Sequence, residues 1–134
     1  MEQHTKRGDI WILGDHRLLC GDSINDDITR LIKGKVRLIA TDPPYGVAYV
    51  ENKRHFKKND GDTQISVDRE IQNDQLQSTE EYAEWSEKWL SKIAPYLEDY
   101  NAAYIFNADL MINALRDGFK KAGYYYSQTL ICVS

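Results

Sequence analysis

Val36-Arg37-Leu38-Ile39-Ala40-Thr41-Asp42-Pro43-Pro44-Tyr45-Gly46 is the stretch on which the reading of this chain turns. Its first five residues are mostly apolar and bounded by Gly34 and Pro43, the pattern of a short buried strand. The strand stops on an acidic residue, two prolines and an aromatic. Each proline fixes its own φ and biases the residue before it toward extended backbone, so the turn is stiff. Such a turn holds the Asp42 carboxylate, the Pro43 carbonyl and the Tyr45 ring in one place. Two acceptors beside a flat π-face suit a planar ring that carries an amino group. As a bare loop, the same residues would make a rigid surface turn.

Asp42-Pro43-Pro44-Tyr45 after an apolar strand resembles the catalytic motif of the amino-group DNA methyltransferases, which methylate adenine N6 or cytosine N4 with S-adenosylmethionine. The resemblance implies that Asp42 and the Pro43 carbonyl accept hydrogen bonds from the target amino group. Pro44 keeps the turn rigid, and Tyr45 stacks on a base swung out of the duplex. An exocyclic amino nitrogen is a poor nucleophile because its lone pair is delocalised into the ring. Two acceptors pulling on its hydrogens favour a tetrahedral nitrogen, whose lone pair is free to attack, and the base must leave the stack to be reached. In this family, Asp at the first motif position goes with adenine N6 more than with cytosine N4.

The rest of the chain is read in order around this turn. Asp9 to Cys20 carries two apolar segments about Gly14-Asp15, which suggests a hairpin with Trp11 and Leu13 on one face. His16 beside the turn reads as a solvated loop residue. After Gly21-Asp22-Ser23, the spacing of Ile24, Ile28, Leu31 and Ile32 predicts a helix stopped at Gly34, with Asp22 or Ser23 as its N-cap. The resemblance offers Asp22 a second role, since family members carry a Gly-Asp pair about 20 residues ahead of the catalytic motif, near the adenosine part of the cofactor. Asp22 and Asp42 are thus the candidate cofactor-binding residues.

Residues 47–77 are polar and irregular, and a loop of this length is expected to be mobile and functional. Lys53, Arg54, His55, Lys57 and Lys58 surround Phe56. A charge run is usually a solvated surface, but just past the proposed active turn Lys53, Arg54, Lys57 and Lys58 are candidates for DNA backbone contacts. Ile71-Gln72-Asn73-Asp74 resembles a short family element that follows this loop, which makes Asp74 a minor candidate.

Ser78-Thr79-Glu80-Glu81 is a capping box, followed by Tyr82, Trp85, Trp89, Leu90 and Ile93 on one helical face. Pro95 limits that helix. Residues 102–106 read as a strand ended by Asn107. A second amphipathic helix follows, with Leu110, Met111, Ala114, Leu115 and Phe119 inward, closed by Gly123, and residues 124–133 read as a final strand. Strands alternating with helices indicate an α/β fold with a mainly parallel sheet, whose ligands bind beyond the carboxyl ends of strands, where Asp22, Asp42 and Asn107 fall. The resemblance makes this a partial Rossmann-like S-adenosylmethionine-dependent methyltransferase fold spanning residues 1–134.

Composition is that of an ordinary globular domain: 134 residues, 42% hydrophobic and 28% charged, with a net charge of −4. No apolar run reaches about 18 residues, so no membrane span is expected, and residues 1–7 lack a signal-peptide core. Cys20 and Cys132 are far apart, which suits free thiols in a reducing cytoplasm, and no metal site is expected. The resemblance places the protein in a bacterial or phage-encoded modification system. The eight glycines are scattered, and the family's Phe-x-Gly-x-Gly cofactor loop does not occur among them. In permuted members that loop follows the catalytic half, so the sequence resembles the first half of such an enzyme. Weak cofactor affinity, little methylation by the chain alone, and self-association or association with a C-terminal half through a free sheet edge are the expectations. The competing readings are a non-catalytic DNA- or partner-binding module and a methyltransferase for RNA or a protein glutamine, where Asn-Pro-Pro-Tyr is the more familiar form.

Overall fold

The computed structural model describes residues 4–51 and 71–131. Two strands, β1 (Ile10–Leu13) and β2 (His16–Leu19), form an antiparallel hairpin. The turn is Gly14-Asp15, and Gly14 takes a φ of 62°, as a two-residue hairpin turn requires. The hairpin makes its own sheet, apart from the parallel pair of β3 (Val36–Thr41) and β4 (Leu97–Ile105).

Helix α1 (Thr79–Ile93) lies in the connection between β3 and β4, and helix α2 (Ile112–Lys121) follows β4. The capping box of α1 is complete: the Ser78 hydroxyl accepts from the Glu81 N–H at 3.2 Å, and the Glu81 carboxylate accepts from the Ser78 N–H at 2.8 Å. At the far end of α1, the Lys92 ammonium donates to the Ile24 and Asp26 carbonyls, tying the helix to the segment before β3.

The end of α2 is closed by a Schellman motif. Gly123 takes a φ of 84°, its N–H donates to the Lys120 carbonyl at 3.1 Å, and the Tyr124 N–H donates to the Phe119 carbonyl at 2.9 Å. The Phe119 and Tyr124 rings meet edge to face at 5.3 Å, the apolar contact that accompanies this cap. The Tyr124 hydroxyl donates to the Leu90 carbonyl at 3.0 Å, and burial pushes this phenol up to about 12.

The core lies between α1, α2 and one face of the β3–β4 pair. Tyr82, Ala83, Trp89 and Leu90 of α1 meet Met111, Ala114, Leu115 and Phe119, with Ala103 and Ile105 of β4 against them. The helices cross closely at Gly118. A Cβ there would stand 2.7 Å from the Ala83 carbonyl oxygen and 2.7 Å from Ser86 Cβ. Gly118→Ala gains about 1 kcal/mol of helix propensity but must push backbone aside, so a net loss of about 1–3 kcal/mol is expected, read as a lower urea midpoint at unchanged slope.

Four expectations from sequence are corrected. Residues 24–32 form turns and a single 3-10 helix, Ile28–Leu31, capped by Asp27 rather than by Asp22 or Ser23. Asp22 holds the Ile24 N–H as a cap would, but Asp27 takes the Thr29 N–H that a continuing helix would give to the Asn25 carbonyl, and the chain restarts there as the 3-10 turn. Strand β4 begins at Leu97 rather than 102, paired with Val36 through a bulge before Leu38 meets Ala102. Leu110 is 80% exposed, because Asp109–Met111 is a 3-10 turn whose tighter phase keeps Met111 inward, as expected, and turns Leu110 out. Residues 124–131 are not a strand: no described strand pairs with them, and Tyr125 is 90% exposed. Residues 132–133 of that expected strand, with Cys132, lie outside the described residues; among the described residues Cys20 is a free, exposed thiol. No described helix is long and apolar enough to cross a membrane, and no group of three or more metal-ligating side chains occurs among the described residues.

Candidate active site

The candidate site is built at the carboxyl end of β3. Thr41 is in register with Ile105, and the Phe106 N–H donates to the Thr41 carbonyl at 3.0 Å, so the sheet holds the chain up to the residue before Asp42. Beyond it the prolines supply no N–H, and the chain leaves the ladder. Asp42 is exposed. Its Oδ1 accepts from the Tyr45 hydroxyl at 2.5 Å, and among the described residues neither its Oδ2 nor the Pro43 carbonyl has a protein donor. Burial first, and then the Asp42 hydrogen bond and charge, push the Tyr45 phenol up to about 12.

A raised phenol pKa has a definite sign in linkage. Tyr45 favours the folded state fully below the ordinary phenol value of 10.0, and that contribution is lost as pH rises toward about 12. Spectrophotometric titration of the protein against Tyr45→Phe is therefore expected to show one phenol missing at the alkaline end. Asp42→Asn brings that phenol only part of the way back toward 10.0, because burial is the larger cause.

The turn is held from below by Tyr82 of α1. Its ring is fully buried and stacks on Trp85 at 5.6 Å. Its hydroxyl donates to the Pro44 carbonyl at 3.1 Å, with Asn107 Oδ1 at 3.5 Å. Burial drives the Tyr82 phenol well above its usual range, so it stays a donor. Asn107 Oδ1 also accepts from the Ala108 N–H at 2.8 Å, while its Nδ2 is buried without a partner among the described residues. The ends of β3 and β4 are thus joined through one side chain.

Asp74, the minor candidate, proves to be the best-anchored carboxylate in the site. It is 5% exposed, and it accepts from the N–H groups of Tyr45 at 3.1 Å, Gly46 at 3.0 Å, Val47 at 3.4 Å and Tyr49 at 2.8 Å. The Ala48 N–H donates to the Asp74 carbonyl and the Gln77 N–H to the Gly46 carbonyl, so the two ends of the 47–77 loop are fastened together. Gly46 is required here. At a φ of 67° an added Cβ would also meet Tyr82 Cδ2 at 3.1 Å. An acidic residue in a polar loop gives almost no sequence signal of burial; the adjacent Asn73, at a φ of 65°, is the one local hint of a tight turn.

Asp22 sits elsewhere. Its Oδ1 accepts from the Ile24 N–H at 2.7 Å and the Asn25 N–H at 3.3 Å, and its Oδ2 from the Asn25 side chain at 2.9 Å. The Ile24 N–H is the main reason its carboxyl lies below the usual range. Lys92 anchors the segment just after Asp22 and Tyr82 anchors the Asp42 turn, and those two α1 residues are about 15 Å apart along the helix axis. Lys53, Arg54, Lys57 and Lys58, with His55 and Phe56, lie outside the described residues.

For a cationic methyl donor, the exposed Asp42 is of the right charge, with one oxygen free of protein donors among the described residues. A glycine cradle is absent from the described residues: Gly8, Gly14, Gly34, Gly46 and Gly123 have positive φ, each in a separate turn.

Residues 36–133 match the model of a DNA methylase family, N6_N4_Mtase, and the chain belongs to that family, the amino-group DNA methyltransferases. The match takes in β3, the Asp42 turn, Asp74, Tyr82 and Asn107, and leaves out the hairpin and Asp22. No curated protein and no solved structure matches the chain.

Proposed function

We propose that this chain carries the base-binding and amino-activating part of a DNA methyltransferase that acts on adenine N6 with S-adenosylmethionine as donor. The observation that carries the reading is the Asp42 turn. An exposed carboxylate with one oxygen free of protein donors among the described residues, an adjacent Pro43 carbonyl and a pinned aromatic stand at the carboxyl end of a parallel strand. An amino group placed there donates one hydrogen to Asp42 Oδ2 and the other to the Pro43 carbonyl. Its nitrogen becomes more tetrahedral, and the lone pair turns out of the ring plane. Bound S-adenosylmethionine supplies the electrophilic methyl carbon. With that donor bound, the nitrogen would take on positive charge as it is methylated; the Asp42 carboxylate would stabilise that charge, and the surplus N–H proton would pass by way of Asp42 to solvent. Tyr45 provides the face on which the extruded base rests, and Pro44 holds the turn through Tyr82.

Adenine is favoured over cytosine by Asp at the first motif position. The supporting case for a doubly wound parent is the exposed outer face of the sheet, where Leu38, Tyr104 and Phe106 are apolar, since parallel sheets are covered on both faces. In this reading Asp22 approaches the adenosine, and the 47–77 loop brings Lys53, Arg54, Lys57 and Lys58 to DNA phosphates in a bacterial or phage-infected cytoplasm. A cofactor loop rich in glycine is supplied by a further segment, with which the sheet edge associates. The scattered glycines favour, as the second reading, a binding module without methyl transfer.

The test is calorimetric titration with S-adenosylmethionine of this chain and of a form supplemented with a glycine-rich cofactor segment. Binding by the supplemented form alone supports the incomplete-enzyme reading. Binding by neither form removes the methyl-donor assignment and leaves the binding module.

A further inference from the structure

We infer that Asp74 is a positioning residue for methyl transfer, acting through the backbone of Tyr45–Tyr49 to set the Asp42 turn; the inference rests on the reading of that turn as the amino-binding site. Four backbone N–H groups converge on this one buried side chain, three on Oδ1 and one on Oδ2. None of the ion pairs among the described residues involves Asp74, so its charge is met by backbone dipoles. The first of those donors is Tyr45 itself, which also bonds Asp42 through its hydroxyl. The bend the carboxylate enforces is an unfavourable one. Ala48 and Asn73, both non-glycine, stand in the left-handed region at φ 49° and 65°, one on each side of the clasp. Asp74 is not a member of the apolar core that holds α1 to α2. With Tyr82 holding Pro44 and Asp74 holding Tyr45 onward, the reactive turn is gripped on both sides.

The chemistry of the side chain makes a sharp test. An ionised carboxylate has two acceptor oxygens, whereas an isosteric amide has one and turns an NH2 group toward a donor. Asp74→Asn is therefore expected to raise amide exchange at Tyr45, Gly46, Val47 and Tyr49 by about tenfold or more, with α1 and α2 amides unchanged. In the supplemented enzyme, kcat falls about 100-fold while KM for DNA and for S-adenosylmethionine stays within about threefold. Because Asp74 acts through the turn, Asp74→Asn adds less than about threefold to the loss already caused by Asp42→Asn. Unchanged exchange, unchanged kcat, or losses that multiply across the two variants would each overturn the inference. Should Asp74→Asn not fold, native-state amide exchange of the wild-type chain in rising urea decides. The Tyr45, Gly46, Val47 and Tyr49 amides exchange through one shared opening if Asp74 is the clamp, and four unrelated openings refute it. These amide measurements need no methyl transfer, so an inactive enzyme would remove the proposed function and still leave the clamp to be judged.

Discussion

Asp42→Asn is expected to lower kcat for methyl transfer by about 1000-fold, with little change in stability. The loss follows from geometry. Asp42 Oδ2 is one of two acceptors offered to the amino group, and positive charge develops on that nitrogen only as the methyl group arrives. An interaction that strengthens in the transition state acts on kcat rather than on binding, and removing one preorganised electrostatic partner of this kind typically costs about 10²–10³ in rate. Stability is spared because Asp42 is exposed and its protein partner is the Tyr45 hydroxyl, from which the amide carbonyl of the variant can still accept. Single-turnover methylation by the supplemented enzyme, beside a urea curve of each variant, separates the two effects. A variant that loses stability and activity together would show Asp42 to be structural.

The second large effect is at Tyr82, where fold and site share one side chain. Tyr82→Ala empties a fully buried position beside Trp85 and releases the Pro44 carbonyl. Large aromatic truncations in cores cost about 3–5 kcal/mol, a major part of the roughly 5–15 kcal/mol by which domains are stable. Tyr82→Phe keeps the ring and removes only the donor, so it is expected to cost about 1 kcal/mol. Its effect on rate should exceed its effect on stability, because a rigid turn loses its lower support while the core stays filled. Chemical denaturation ranks the pair, and kcat of Tyr82→Phe shows whether the Pro44 contact matters beyond folding.

What was legible in the sequence was whatever is encoded locally. Ser78 and Glu81 declare a helix start through their own side chains, Gly123 declares a stop through its backbone freedom, and the Asp42 turn is stiff by its two prolines. The helical spacing of Ile24, Ile28 and Leu31 misled because the Asp27 carboxylate takes the Thr29 N–H that a continuing helix would give to a backbone carbonyl, and periodicity carries no trace of that competition. The polar start of β4, Glu98-Asp99-Tyr100-Asn101, has poor strand propensity and lies in the register shift between the Val36–Leu97 and Leu38–Ala102 pairs, so only the long-range pairing at Leu97 extends the strand back past residue 102. The reverse holds for residues 124–131, whose β-prone composition has no described partner to pair with. From sequence, Asp74 stands out only through the resemblance and Tyr82 only as a core residue, and their hold on the Asp42 turn was hidden for a different reason. The contacts that give them meaning reach across 29 and 38 residues of sequence, and only the folded chain shows that both converge on one turn.

The most direct measurement is mass-spectrometric identification of the methylated base after a duplex is incubated with S-adenosylmethionine and the supplemented enzyme. The Asp42 reading requires N6-methyladenine, formed about 1000-fold more slowly when Asp42→Asn replaces the wild type. Cofactor binding with no methylated base, or a methyl group on any base that survives Asp42→Asn undiminished, would contradict it.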